Sequence, residues 1–173
     1  MHQRGMTLLS ESNRWQSDGK FYAAPKPFKQ LYYIMAGKKG EKERPAVYIL
    51  MQKRTEAAYK EVFNQLKEIA ASYNLVLNPL IALTDFEKAV RKALKFHFPG
   101  IKLKGCFFHF KQAIGRWIFK NGYKKTFMTN IAFKFWFRKL SSLAVIPLDQ
   151  VQDAYDMIKK QADSIGLYLF LNN

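Results

Sequence analysis

The chain has 173 residues, 49% of them hydrophobic and 16% aromatic, which is enough apolar material for one domain with a proper core and excludes wholesale disorder. No apolar run approaches the roughly 18 residues of a membrane helix, and the N-terminus, with Arg4 but no apolar stretch behind it, does not read as a signal peptide. The 29 Lys and Arg outnumber the 13 Asp and Glu, and the resulting net charge of +16 points to a polyanionic partner; the single cysteine, Cys106, excludes an internal disulfide framework and suits a reducing compartment.

Residues 1–11 show no hydrophobic period and read as a loose N-terminal arm. From Ser12 the text becomes regular. "KFYAAPKPFKQLYYIMAG" suggests one strand ending at Pro25 and Pro27 and a second from about Phe28 to Ala36; "KKGEKERP" is a polar turn, and "AVYILMQ" is a third strand. Residues 12–52 therefore read as an antiparallel meander. The period then changes. After Thr55, "EAAYKEVFNQLKEIAASY" places Ala58, Tyr59, Val62, Phe63, Leu66, Ile69 and Ala70 on one face of a helix. "NPLIALTDF" is a short buried strand ending at Asp85, "EKAVRKALKFHF" a helix closed by Pro99 and Gly100, and "IKLKGCFFHF" a strand that runs into helix. Beyond Gly122 the text is helical over about 124–142, breaks at Pro147 and resumes as "LDQVQDAYDMIKKQADSI". The fold class is α/β, an antiparallel meander followed by βαβ units in a mixed sheet flanked by helices, with a mostly helical C-terminal segment.

The charge is unevenly distributed. Between Lys88 and Leu148 there is no Asp or Glu, while aromatics interleave with the cations in "RWIFKNGYKKTFMTNIAFKFWFRK". A solvated surface would also account for scattered lysines, but the interleaved aromatics favour contact with a phosphate backbone. Lys104, Lys111, Arg116, Lys120, Lys124 and Lys125 are the candidate DNA-binding residues.

Neither a Gly-rich phosphate loop nor a nucleophile elbow is present. What remains is carboxylates at strand ends: Asp18 at the opening of the first sheet region and Asp85 at the close of the central apolar strand. Carboxylates brought within about 4–6 Å repel each other unless a divalent cation lies between them, and such a pair can serve phosphoryl transfer. Each also has a plainer reading, Asp18 as a turn residue before Gly19 and Asp85 as the cap of a helix starting at Phe86, with Glu87 as first-turn decoration. Cys106 and His109 form a C-x-x-H pair. With only His2 and His97 besides, a tetrahedral zinc site from this chain is excluded in practice, and a core thiol with a core histidine is the alternative.

"WQSDGKF", "PKPFKQLYYI", "PAVYILMQKRTEAAYKEVFNQLKE" and "LTDFEKAVRKALKFHFPGIKLKGCFFHFKQAIGRWI", in this order and at these spacings, closely resemble the MULE transposase domain of Mutator-like DNA transposases over about residues 12–120, and "IPLDQV" resembles a segment farther on. The resemblance implies an RNase H-like catalytic core over 12–121 and a helical, insertion-type segment over 122–173. It further implies a D, D, E triad that binds two Mg²⁺ or Mn²⁺ ions for DNA strand cleavage and transfer. Asp18 matches the first acid of the family's "DGTF" motif, with Lys20 in place of its Thr. Asp85 matches the second acid, in "TDFE", and Cys106 and His109 match a "CFFH" segment that helps organise the site. The family's third acid, a Glu in an "RTNN"-like context, has no counterpart before Asn173; Asp149, Asp153, Asp156 and Asp163 read as surface residues of a helix. The expectation is a truncated catalytic domain, incomplete alone, that acts on transposon ends and target DNA in the nucleus and self-associates through apolar surface. The alternative is a domesticated, non-catalytic nucleic-acid-binding protein that keeps the fold.

Overall fold

The computed structural model describes residues 3–38 and 40–164. Among them the order of elements is α1 (Gln3–Glu11), β1 (Arg14–Lys20), β2 (Gln30–Ala36), β3 (Arg44–Met51), α2 (Glu56–Ser72), β4 (Ile81–Thr84), α3 (Lys88–His97), β5 (Lys102–Gly105), α4 (Phe107–Lys120), α5 (Lys124–Thr129), α6 (Ile131–Ser142) and α7 (Val151–Ser164). The five strands form one mixed sheet in the order β3-β2-β1-β4-β5. The first three are antiparallel, and β4 and β5 run parallel to β1 after the crossovers made by α2 and α3. None of the described helices is long and apolar enough to cross a membrane.

Alternation decides which residues of the sheet are covered. Trp15 and Ser17 of β1, Gln30, Tyr32, Ile34 and Ala36 of β2, Val47 and Met51 of β3, and Ala82 and Thr84 of β4 are buried, whereas Gln16, Asp18, Tyr33 and Leu83 between them are only half-buried. The 3.6-residue stripe of α2, with Tyr59, Phe63, Leu66 and Ala70, and Val90, Ala93 and Leu94 of α3 complete this core. Trp15 meets Phe98 edge to face at 5.4 Å, and Phe63 packs on the same ring at 6.1 Å. Full burial of an apolar side chain such as Phe63 or Leu66 contributes about 1.5–3 kcal/mol. Thr55 caps α2 by accepting a hydrogen bond from the Ala58 amide at 3.2 Å, and Asn74, at φ 57°, lies just beyond its end in the left-handed conformation that Asn tolerates.

Several expectations need correction. Residues 3–11 are no loose arm: α1 buries Met6 and Leu9 completely, and the Trp15 indole donates to the Leu9 carbonyl at 3.1 Å. The helix was hidden because its apolar face is short. The first strand runs from Arg14 to Lys20 and not up to the prolines, since Trp15 and Ser17 supply its buried face while Phe21 and Tyr22 are exposed. The helical stretch over 124–142 is two helices, because Asn130 ends α5 and caps α6 by accepting from the Phe133 amide at 3.1 Å.

The chain divides into two compact units, residues 1–106 and 107–173. In the second, Ile118 of α4 is fully buried with Phe133, Trp136, Leu140, Ile158 and Ala162 in a second apolar cluster. Within that unit the Trp136 indole donates to the Ile158 carbonyl at 2.9 Å and ties α6 to α7.

Candidate functional site

Asp18 lies within β1, near its C-terminal end, and not at the entrance of the strand. Its partner across the antiparallel pair is Tyr33, whose hydroxyl donates to Asp18 Oδ2 at 3.2 Å, while the Gly19 amide donates to Oδ1 at 2.7 Å. Burial, with the neighbouring Asp18 carboxylate adding to the effect, pushes the Tyr33 phenol up to about 12.

Asp85 is the first residue after β4. It does not cap a helix from Phe86, because α3 begins only at Lys88; its Oδ1 instead accepts from the Glu87 amide at 3.1 Å, an Asx-type turn that fixes the chain between strand and helix. Thr84 donates to the Asp85 carbonyl at 2.8 Å and accepts from Arg91 at 3.2 Å. The paired positions of β1 and β4 run from Arg14 and Ile81 to Gln16 and Leu83. The same register carried two residues further sets Asp18 level with Asp85, on strands that lie about 4.8 Å apart. The two half-buried carboxylates thus come from the C-terminal ends of adjacent parallel strands, where open α/β sheets commonly build their sites.

These are hard oxygen donors, the type that suits Mg²⁺ or Mn²⁺, and Mg²⁺ is commonly held by one or two carboxylates plus waters and substrate phosphates. The donor set fits such an ion in chemistry. Among the described residues no group of three or more His, Cys, Asp or Glu gathers where it could hold a metal ion.

Two side chains not singled out in the sequence, Gln30 and Arg54, make contacts near the strand ends. Arg54 donates to Glu87 Oε2 at 2.5 Å and stacks over Phe21 at 4.5 Å; Gln30, 1% exposed, donates to the Tyr59 hydroxyl at 2.8 Å. Glu87 is therefore an ion-pair partner and more than helix decoration. Gln30 had a legible signal, a polar residue at a buried position of an alternating strand, but Arg54 reads as an ordinary loop cation until the loops are folded together.

Cys106 is half-buried after β5, its amide donating to the Thr84 carbonyl at 2.8 Å, and it closes the first compact unit. His109 lies on α4 in the second, its ring edge-on to Phe108 at 5.6 Å. Of the candidate cations, Lys104 is exposed on β5 opposite Leu83, and Arg116, Lys120, Lys124 and Lys125 are exposed in the second unit. Lys111 is partly covered and stands over the rings of Phe107 and Phe137 at 5.8 and 5.9 Å. Among the described residues none of these six cations forms a salt bridge.

A family model described as MULE transposase domain matches residues 15–113, more than half of the chain and both carboxylates. No curated protein matches the chain.

Proposed function

This chain belongs to the MULE transposase domain family, and on that premise we propose that it is the carboxylate-bearing part of an RNase H-like nuclease core that acts on DNA in transposition. The observation that carries this reading is the placement of Asp18 and Asp85 towards the C-terminal ends of adjacent parallel strands, which pair as far as Gln16 and Leu83. The strand order β3-β2-β1-β4-β5, with the first three antiparallel, supports the RNase H-like assignment.

In this reading Asp18 and Asp85 hold Mg²⁺ or Mn²⁺. A bound divalent ion would supply charge neutralisation at the scissile phosphate and a lowered pKa for the attacking water or hydroxyl. The protein's own contribution is orientation. The Gly19 amide and the Tyr33 hydroxyl fix the Asp18 carboxylate, and the Asx turn onto Glu87 fixes that of Asp85. Lys104, Lys111, Arg116, Lys120, Lys124 and Lys125 contact the DNA backbone, Cys106 and His109 help organise the site, and the nucleus is the compartment of action.

The second reading, a non-catalytic DNA-binding protein with the same fold, is favoured by the lack of a third clustered acid among the described residues. One experiment separates the two. Mn²⁺ should raise the melting temperature of the wild type but not of Asp85→Ala. Equal shifts in both proteins, or none in either, would remove the metal site and leave the binding reading.

A further inference from the structure

The two carboxylate-bearing strand ends are joined by more than the sheet. Gln30 is almost fully buried, and its amide nitrogen donates to both the Tyr59 hydroxyl, at 2.8 Å, and the Met51 sulfur, at 3.1 Å. Its amide oxygen lies under Gly19, where a Cβ would approach it to 2.6 Å, so a larger residue at that position would displace the Gln30 side chain. The Tyr59 ring packs edge to face at 5.3 Å on Tyr32, which is the cross-strand partner of Gly19. The Arg54 charge also acts on the Tyr59 hydroxyl, opposing the rise that burial imposes on its pKa.

Arg54 then touches both strand ends. It stacks at 4.5 Å on Phe21, just past β1, and donates at 2.5 Å to Glu87, whose backbone amide holds Asp85 Oδ1. A buried amide and a buried phenol are costly unless satisfied, and here each satisfies the other. The Arg54–Glu87 pair is partly exposed, with side chains 40% and 17% accessible, and pairs of this kind add little to stability. Its larger consequence is geometric, because a planar guanidinium held by a carboxylate and a ring has few alternative positions.

We infer that Gln30, Tyr59 and Arg54 form a polar brace that fixes the Asp18 and Asp85 strand ends against each other, and that Tyr59 and Arg54 are positioning residues for the carboxylate pair. The bracing itself is a property of the fold; its role in metal binding rests on the function proposed above. The arrangement corresponds to the outer-shell support that orients metal ligands, whose loss commonly weakens metal affinity about 10- to 100-fold.

The test uses the full chain and three variants: Tyr59→Phe, which removes only the hydroxyl, and Arg54→Met and Arg54→Lys, at a site open enough for the protein to fold. The first readout is metal-free amide hydrogen exchange. Tyr59→Phe and Arg54→Met should speed exchange of the Gly19 and Glu87 amides roughly tenfold and leave Phe63 and Val90 unchanged. Wild-type rates at Gly19 and Glu87 in both variants would overturn the brace. The second readout is Mn²⁺ affinity by calorimetry. It should fall about tenfold in both variants, with part of the loss restored in Arg54→Lys; affinity equal to wild type in both would overturn the positioning role. A wild type that takes up no Mn²⁺ would sink the proposed metal chemistry, and the brace would then be decided by the exchange rates alone.

Discussion

Tyr33 stands directly across the β1–β2 pair from Asp18 and donates its hydroxyl to Asp18 Oδ2 at 3.2 Å, so the first carboxylate of the pair is held from the neighbouring strand. Burial first, then the Asp18 charge and hydrogen bond, which both favour the neutral phenol, together raise it to about 12. Asp18→Asn should therefore lower the Tyr33 midpoint toward, but not down to, the ordinary value near 10. Phenolate absorbance titrations of the variant, with Tyr33→Phe to assign the transition, measure it. An unchanged midpoint would mean that the contact does not persist in solution.

Six cations that form no salt bridge among the described residues predict a strongly salt-dependent interaction with DNA. If Lys104, Lys111, Arg116, Lys120, Lys124 and Lys125 all neutralise phosphates, affinity should drop about 10³-fold between 50 and 200 mM salt. Lys120→Gln should reduce the slope of log affinity against log salt by about 0.9. Fluorescence anisotropy with a duplex at several salt concentrations checks both. Affinity that does not respond to salt would assign the charge to solubility.

Gly5 lets α1 lie against the backbone of β3: a Cβ there would come within 2.2 Å of the Ala46 carbonyl oxygen. Alanine in place of glycine gains about 1 kcal/mol in an exposed helix. Here the clash with a backbone atom wins, and Gly5→Ala should cost about 1–3 kcal/mol net. Urea denaturation settles the sign, since a stabilised variant would show that α1 does not rest on β3.

His97 lies edge-on to Phe96 at 5.1 Å and beside Phe63 at 6.1 Å, with a buried Nε2 that has no hydrogen-bond partner among the described residues. Burial holds its pKa below the ordinary histidine value; a backbone contact with Lys60 opposes the shift, and the charges of Lys67 and Lys60 add to it. The unfolded chain thus takes up the proton first as pH falls. The stability contribution is complete above about pH 7 and is lost as pH drops through about 6.5 toward the lowered folded value. The denaturation midpoint should fall between pH 7.5 and 5.5 in the wild type and fall less in His97→Phe.

Much of this was legible in the sequence. The amphipathic stripe of α2, the alternation of β2 and β3, and the short apolar runs behind Pro79 and Pro99 gave the mixed sheet with flanking helices, and the family resemblance pointed to Asp18 and Asp85. The errors fell where a segment's local pattern is weak. Helix α1 exists because Met6 and Leu9 find the core and Gly5 finds the Ala46 backbone, contacts that lie far along the chain.

Taken by itself, the sequence determined the periodicities, the basic acid-free span and the carboxylate that follows the central apolar strand, because these depend only on residue type and local spacing. Tertiary structure alone decided that the strands leading to Asp18 and Asp85 lie side by side and parallel, since pairing joins segments that are distant in sequence. It alone brought Arg54 between Phe21 and Glu87 and placed Gln30 beneath Gly19. Such contacts come from packing one element on another, and no local pattern encodes them.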